Sequence, residues 1–332
     1  MRPRLVLFGD SITELSFASG GWGAALTDRF ARQADVVLRG LSGYNTRWAL
    51  KVLPRAMEGA AGAGADPAAV TVFFGANDAS LPDQVQAHQH VPLKEYQSNL
   101  RAICAYFKVK LWAYLGFGCL GLVAHLSVAW VLRSQERWPS TAVILITPPP
   151  IYEPARIRDM YGDDDPSRQP ERSNEAAGAY AQACIDVATE LNHPVIDIWT
   201  KMQEFPDWQT SALRFLPYLA GSGIVNQITL KLVTNGLFVP VLEFKDNNLN
   251  LVVGPINITY LNITLAACDN HVDATMLCSD GLHFTPVGNK ILFEEVVKTL
   301  ETSIGFSQER LPSDLPLFHE IDPKDPMKAF GA

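Results

Sequence analysis

The 332-residue sequence has no C-x-x-C pair, no block of lysine or arginine, and no apolar run of signal-peptide length near its start. Its five cysteines (Cys104, Cys119, Cys184, Cys268 and Cys278) are odd in number and scattered, so neither a zinc knuckle nor a disulfide framework is expected. They read as free thiols in a reducing compartment. With 27 basic against 35 acidic side chains and a net charge of -8, the clustered positive charge that nucleic acid requires is missing, and no nucleic-acid partner is expected. The run Arg4 to Phe8 before the Gly9-Asp10 turn is too short for a signal-peptide core, so the expected location is cytoplasmic. What is present is 48% apolar residues, enough for a sizeable core and too many for a disordered chain.

Short apolar runs alternate with helical patterns. Arg4 to Phe8, Val36 to Leu38, Val70 to Phe74, Ala142 to Ile146 and Pro194 to Ile198 read as strands. Trp22, Leu26 and Phe30 recur at helical spacing, as do Trp48, Val52 and Leu53 within Thr46 to Met57, where Pro54 is expected to kink or end the helix. Leu93, Leu100, Ile103, Cys104 and Phe107 form another helical face. A further helix is expected from about Glu171 to Leu191, after an acidic loop at Tyr161 to Pro170. Thr285 and Pro286 read as an N-cap and first helical residue. Regular strand–helix alternation predicts an α/β fold with a parallel sheet covered on both faces.

The chemistry-bearing residues sit at predicted strand ends. Asp10-Ser11 follows the first strand, Gly40 to Asn45 with Gly43 the second, and Gly75-Ala-Asn77-Asp78 the third. The carboxyl ends of parallel strands share one rim where ligands bind, so these clusters converge. Ser11 at a strand-to-helix turn presents a hydroxyl beside its own N–H, and the Asn77 amide adds a donor. A serine nucleophile needs a base. Asp280 and His283, spaced i,i+3 before the last helix, let one turn bring a carboxylate to an imidazole. Taken singly, each group has a plainer role: N-cap serine, turn asparagine or capping aspartate. Asp10 and Asp78 read as turn-bracing residues. Asp163 to Asp165 lack the spacing of a calcium loop, and His88 and His90 read as surface histidines, so no metal is expected.

Four blocks in order, FGDSIT (Ser11), LSGYNT (Gly43), FFGANDAS (Gly75 and Asn77) and SDGLHFTPVGN (Asp280 and His283), resemble the GDSL-type SGNH hydrolases. GGWGAALTDRF, HVPLKEYQSNL and ITPPPI add a resemblance to isoamyl acetate-hydrolysing esterases, including plant GDSL esterases. That resemblance implies a flavodoxin-like three-layer α/β/α sandwich, the SGNH hydrolase fold. It implies hydrolysis of small to medium acyl esters through an acyl-enzyme, with a small-molecule ester as partner and no cofactor. Ser11 would be the nucleophile, His283 the base and Asp280 its orienting acid. The N–H groups of Ser11 and Gly43 and the Asn77 amide would form the oxyanion hole. Carbohydrate O-deacetylation is a substrate variant, and a catalytically impaired or membrane-associated binding protein on the same fold is the alternative.

The resemblance covers Arg4 to Phe107, roughly Trp138 to Ser211, and Cys278 onward, as one hydrolase domain with a C-terminal tail from about 308 to 332. Two segments interrupt it, at about 109–137 and 212–277. Within the first, Leu111 to Leu132 carries no formal charge apart from any on His125 and has the length of a membrane span. One span would put Ser11 and Asn77 on one side of a bilayer and Asp280 and His283 on the other, so an active enzyme excludes it; adhesion to a membrane surface does not conflict. The second segment shows no sustained period and carries the sequons at Asn257 and Asn262. Abrupt entry and exit between intact motifs points to sequence foreign to the fold, such as translated non-coding sequence.

Overall fold

The computed structural model describes residues 2–61, 66–108, 138, 140–161, 168–213 and 280–330, together with the backbone of short strands between 230 and 263. The segment Leu111 to Leu132, the acidic triplet Asp163 to Asp165, the sequon residue Asn257, and Cys119, Cys268 and Cys278 lie outside the described residues. By backbone contacts the chain divides into Met1–Phe215 with Cys278–Ala332, and a second unit, Leu216–Leu277.

The first unit is built on five strands: β1 (Arg4–Gly9), β2 (Asp35–Gly40), β3 (Ala69–Phe73), β4 (Ala142–Ile146) and β5 (Val195–Ile196). They form one parallel sheet in the order β2-β1-β3-β4-β5. Alternate side chains serve two cores. Leu5, Leu7, Phe73, Ile144 and Ile146 face one, while Val6, Phe8, Val70, Val72, Val143 and Leu145 face the other, which is why these strands read as continuous apolar runs. Trp22 and Leu26 of α2 (Trp22–Arg29) and Ile291, Leu292 and Val296 of α9 (Pro286–Thr299) close the first face. The second is closed by α3 (Thr46–Ala56), α4 (Leu93–Lys108) and α6 (Asn174–Glu190) through Leu53, Leu100, Ile103, Phe107 and Val187. The result is the expected three-layer α/β/α sandwich.

Short helices α1 (Ser11–Glu14), α5 (Glu153–Tyr161), α7 (Ile198–Gln203) and α8 (Trp208–Ser211) complete the set. Register places the site. Gly9 pairs with Gly40 and Phe73, Phe73 with Ile146, and Ile146 with Ile196, so all five strand ends finish level and release their loops on one rim.

Several local expectations need correction. The fifth strand ends at Ile196, because the Asp197 carboxylate accepts from Thr200 N at 3.1 Å and starts α7. Helix α6 begins at Asn174, capped by Ser173, whose hydroxyl accepts from Ala176 N at 3.1 Å; Glu171 stands before it as a buried charge. Ala49 and Leu53 are the buried stripe of α3, leaving Trp48 and Val52 half-buried, and the helix runs two residues past Pro54, which its last turn tolerates. Leu93, in the first turn of α4, is exposed, and Tyr96 takes its place in the core. Thr285 does cap α9, accepting from Gly288 N at 3.2 Å.

The described residues that flank each atypical segment are neighbours. Phe107 O accepts from Trp138 N at 3.2 Å and the two rings stack at 5.4 Å, while Leu213 O accepts from Gly281 N at 3.0 Å. Ala212 and Leu213 are fully buried in the first core. A segment whose flanking residues are held together adds little closure cost, since closure entropy grows only with the logarithm of loop length. Residues of the tail return along the amino-terminal edge, where Arg2 bridges Asp314 at 2.6 Å and Gln33 Nε2 donates to Leu311 O at 2.7 Å.

In the second unit, β6 (Leu230–Thr234), β7 (Leu237–Phe238), β8 (Phe244–Lys245), β9 (Asn248–Leu249) and β10 (Leu261–Ile263) pair antiparallel, as β10-β6-β7 and β8-β9. These short ladders are structure where the sequence showed no sustained period. Among the described residues, no helix is long and apolar enough to cross a membrane.

Candidate active site

The turn after β1 carries Ser11 into the first position of α1. Asp10 makes that turn: its Oδ1 accepts from Ile12 N at 3.0 Å, and its own N–H donates to Phe73 O at 3.2 Å. As first helical residue, Ser11 has an N–H without an intrahelical acceptor. The residue is buried at the rim, 8% exposed, and its side chain meets His283, with Oγ 2.8 Å from Nε2.

On the other side of the imidazole, Nδ1 lies 3.1 Å from Asp280 Oδ1. An ionised carboxylate only accepts, so Nδ1 carries the proton and Nε2 is left as the acceptor for the Ser11 hydroxyl. Asp280 Oδ1 also accepts from the backbone N–H groups of Leu282 at 3.1 Å and His283 at 2.9 Å, and Oδ2 accepts from Arg156 Nη1. Burial pushes the Asp280 carboxyl up, but the His283 hydrogen bond and charge, the Arg156 charge and the backbone N–H outweigh it and hold the group far below the usual carboxylate range. The i,i+3 spacing therefore does place carboxylate and imidazole on one turn.

The second and third rim loops meet through Asn77. Its Nδ2 donates to Tyr44 O at 2.9 Å, next to Gly43, and its second amide hydrogen remains for a ligand. Gly43 at φ +76° and Gly75 at φ +130° hold backbone conformations that side chains resist, and a Cβ on Gly75 would stand 2.8 Å from the Tyr96 hydroxyl. Asp78 accepts from Thr46 N at 3.0 Å and from the Thr46 hydroxyl, pinning the start of α3 to the loop after β3.

Asp10 and Asp78 are both fully buried, and burial pushes each carboxyl up to about 7. Among the described residues, Asp10 Oδ2 has no hydrogen-bond partner. For an acid raised in this way, the unfolded chain ionises first as pH climbs from about 4, and the folded state binds more protons until about pH 7. The contribution to stability therefore falls across that window. Asp10→Asn keeps the cap and removes the titration, so its melting temperature is expected to decline less between pH 4.5 and 7.5 than that of the wild type. Parallel declines overturn this assignment.

Four residues of the site escaped the reading of the sequence. Arg156, Glu171 and Arg172 are 4%, 0% and 3% exposed. Glu171 Oε1 accepts from Arg156 Nε at 2.8 Å and from Arg172 Nη1 at 2.5 Å. Arg172 continues to Ala76 O at 2.9 Å, Asn77 Oδ1 at 3.0 Å and Gln89 Oε1 at 2.6 Å. The fourth residue, Gln89, also donates to Gly43 O at 3.0 Å and accepts from Asn45 Nδ2 at 2.9 Å. It lies between the two histidines read as surface residues. Of these, His88 is exposed and stacks on Trp48, while His90 Nδ1 is 2.6 Å from Ser80 O. Cys104 and Cys184 are buried free thiols, each pushed up to about 12 by burial.

Comparison with known proteins identifies the family. The GDSL-like Lipase/Acylhydrolase family matches residues 5–296. A GDSL esterase/lipase of Arabidopsis thaliana is 42% identical over 331 residues, 99% of this chain and 98% of its own length. An isoamyl acetate-hydrolyzing esterase 1 homolog of Rattus norvegicus is 42% identical over 219 residues, 65% of this chain and 76% of that one. The solved lipase/acylhydrolase of Enterococcus faecalis is 19% identical with a TM-score of 0.46, covering 95% of this chain and 100% of that one. The chain belongs to the family of GDSL-like lipases and acylhydrolases and is a carboxylic ester hydrolase.

Proposed function

We propose that the protein hydrolyses small to medium acyl, acetate-type esters through an acyl-enzyme on Ser11. The observation that carries this reading is the line Ser11 Oγ–His283 Nε2, 2.8 Å, and His283 Nδ1–Asp280 Oδ1, 3.1 Å. Oγ attacks the ester carbonyl carbon while its proton passes to Nε2. The oxygen that becomes negative is held by the N–H groups of Ser11 and Gly43 and the free Asn77 amide hydrogen. The carbon–alkoxy bond then breaks, the alcohol leaving with the proton from Nε2. Water attacks the acyl-enzyme, gives its proton to Nε2, and the carboxylic acid departs as that proton returns to Oγ. Asp280 keeps the Nδ1 proton in place and balances the imidazolium without taking a proton, consistent with its depressed pKa.

The preference for acetate-type esters follows the rat relative, whose name specifies isoamyl acetate hydrolysis. A fluorophosphonate probe tests the nucleophile directly. Labelling of the wild type that disappears in Ser11→Ala is expected; folded wild-type protein that takes no label would instead favour a catalytically silent binding protein. Turnover of p-nitrophenyl esters of increasing chain length tests the acyl preference, with acetate expected to exceed palmitate and the reverse order refuting it.

A further inference from the structure

An asparagine side chain has nearly the same shape when turned by 180° about its last torsion, yet the two orientations differ in chemistry: one presents a donor, the other an acceptor. In an oxyanion hole the wrong orientation repels the charge it should hold. At Asn77 the choice is made by partners of opposite kind. Oδ1 accepts from Arg172 Nη2 at 3.0 Å, and Nδ2 donates to Tyr44 O at 2.9 Å. Arginine has donors only, so it can face only the carbonyl side of the amide.

The guanidinium is itself fixed. Besides Asn77 it donates to Ala76 O, Gln89 Oε1 and Glu171 Oε1. Glu171 in turn binds Arg156, whose other arm holds Asp280. One buried chain of charge therefore runs from the amide to the acid of the Ser11–His283 line. We infer that Arg172 is a positioning residue that locks the Asn77 amide with its donor toward the oxyanion, anchored through Glu171 and Arg156 to the Asp280 turn. The inference rests on the acyl-enzyme reading given under Proposed function.

A double-mutant cycle on p-nitrophenyl acetate hydrolysis tests it, with folding checked by circular dichroism. Arg172→Lys keeps a positive charge but cannot reproduce the planar fork. It is expected to lower kcat about tenfold to a hundredfold with KM within about twofold, less than the about 10²- to 10³-fold loss of removing an oxyanion donor by Asn77→Ala. The double variant is expected to be no slower than Asn77→Ala alone, because the amide that Arg172 orients is already gone. Wild-type kcat in Arg172→Lys, or losses that multiply in the double variant, would overturn the inference and leave a structural role. Wild-type kcat in Asn77→Ala would sink the oxyanion reading itself, a distinct result. Should Arg172→Lys fail to fold, the pair Glu171→Gln with Arg172→Met, which removes one charge of each sign, takes its place in the same cycle.

Discussion

Ser11→Ala is expected to lower kcat for p-nitrophenyl acetate by on the order of 10⁴-fold or more while leaving the fold intact. The side chain is small and sits at the rim, so its loss opens no cavity in either core. What disappears is the only oxygen bonded to His283 Nε2 among the described residues. His283→Ala is expected to fall nearly as far, since the hydroxyl then has no group to receive its proton. Because the two act as one unit, the double variant should be about as slow as either single one rather than slower by the product. Steady-state kinetics of the three variants decide the matter. A folded Ser11→Ala enzyme within tenfold of the wild type, at a level that contaminating esterase cannot explain, would remove Ser11 from the reaction.

The sequence makes Ser11, Asp280 and His283 legible because each is fixed by local rules. A strand-to-helix turn needs a cap, and Asp10 supplies it, which makes Ser11 the first helical residue; an i,i+3 pair on one turn needs no tertiary information to put its side chains on one side. The parallel sheet is legible for the same reason, as runs such as Ala142 to Ile146 are apolar on both faces. Arg156, Glu171 and Arg172 are not, because charged residues in polar-looking stretches read as exposed. Their burial depends on meeting one another across α5, the turn before α6 and the loop after β3, a coincidence that no single window of sequence contains. Gln89 was hidden likewise, between two histidines and within a single 3₁₀ turn, Ala87–Gln89. Helix α5 was missed because nine residues with few apolar positions give no stripe to follow.

That buried network carries the largest expected change in stability. Glu171→Leu would leave the guanidinium groups of Arg156 and Arg172 facing a position without a carboxylate, both almost wholly out of water. Breaking a buried ion pair from one side costs about 3 to 5 kcal/mol, since the surviving charge keeps its desolvation penalty and loses its compensation. The exposed pair Arg101–Glu190, with side chains 39% and 52% exposed, is the contrast: Glu190→Gln is expected to leave the unfolding midpoint nearly unchanged. Urea unfolding of the two variants against the wild type measures the difference, and a Glu171→Leu loss as small as that of Glu190→Gln would refute it. Burial of charge is not stability in itself, however. Replacing all three members together, as Arg156→Met, Glu171→Leu and Arg172→Met, removes the desolvation cost along with the attraction, and such exchanges are often neutral or stabilising. The triple variant is therefore expected to recover most of the stability that Glu171→Leu loses. It should not recover kcat, because Asn77 Oδ1 and Asp280 Oδ2 lose the arginine donors that set them. Recovery of stability without activity would separate what the network does for the fold from what it does for the reaction.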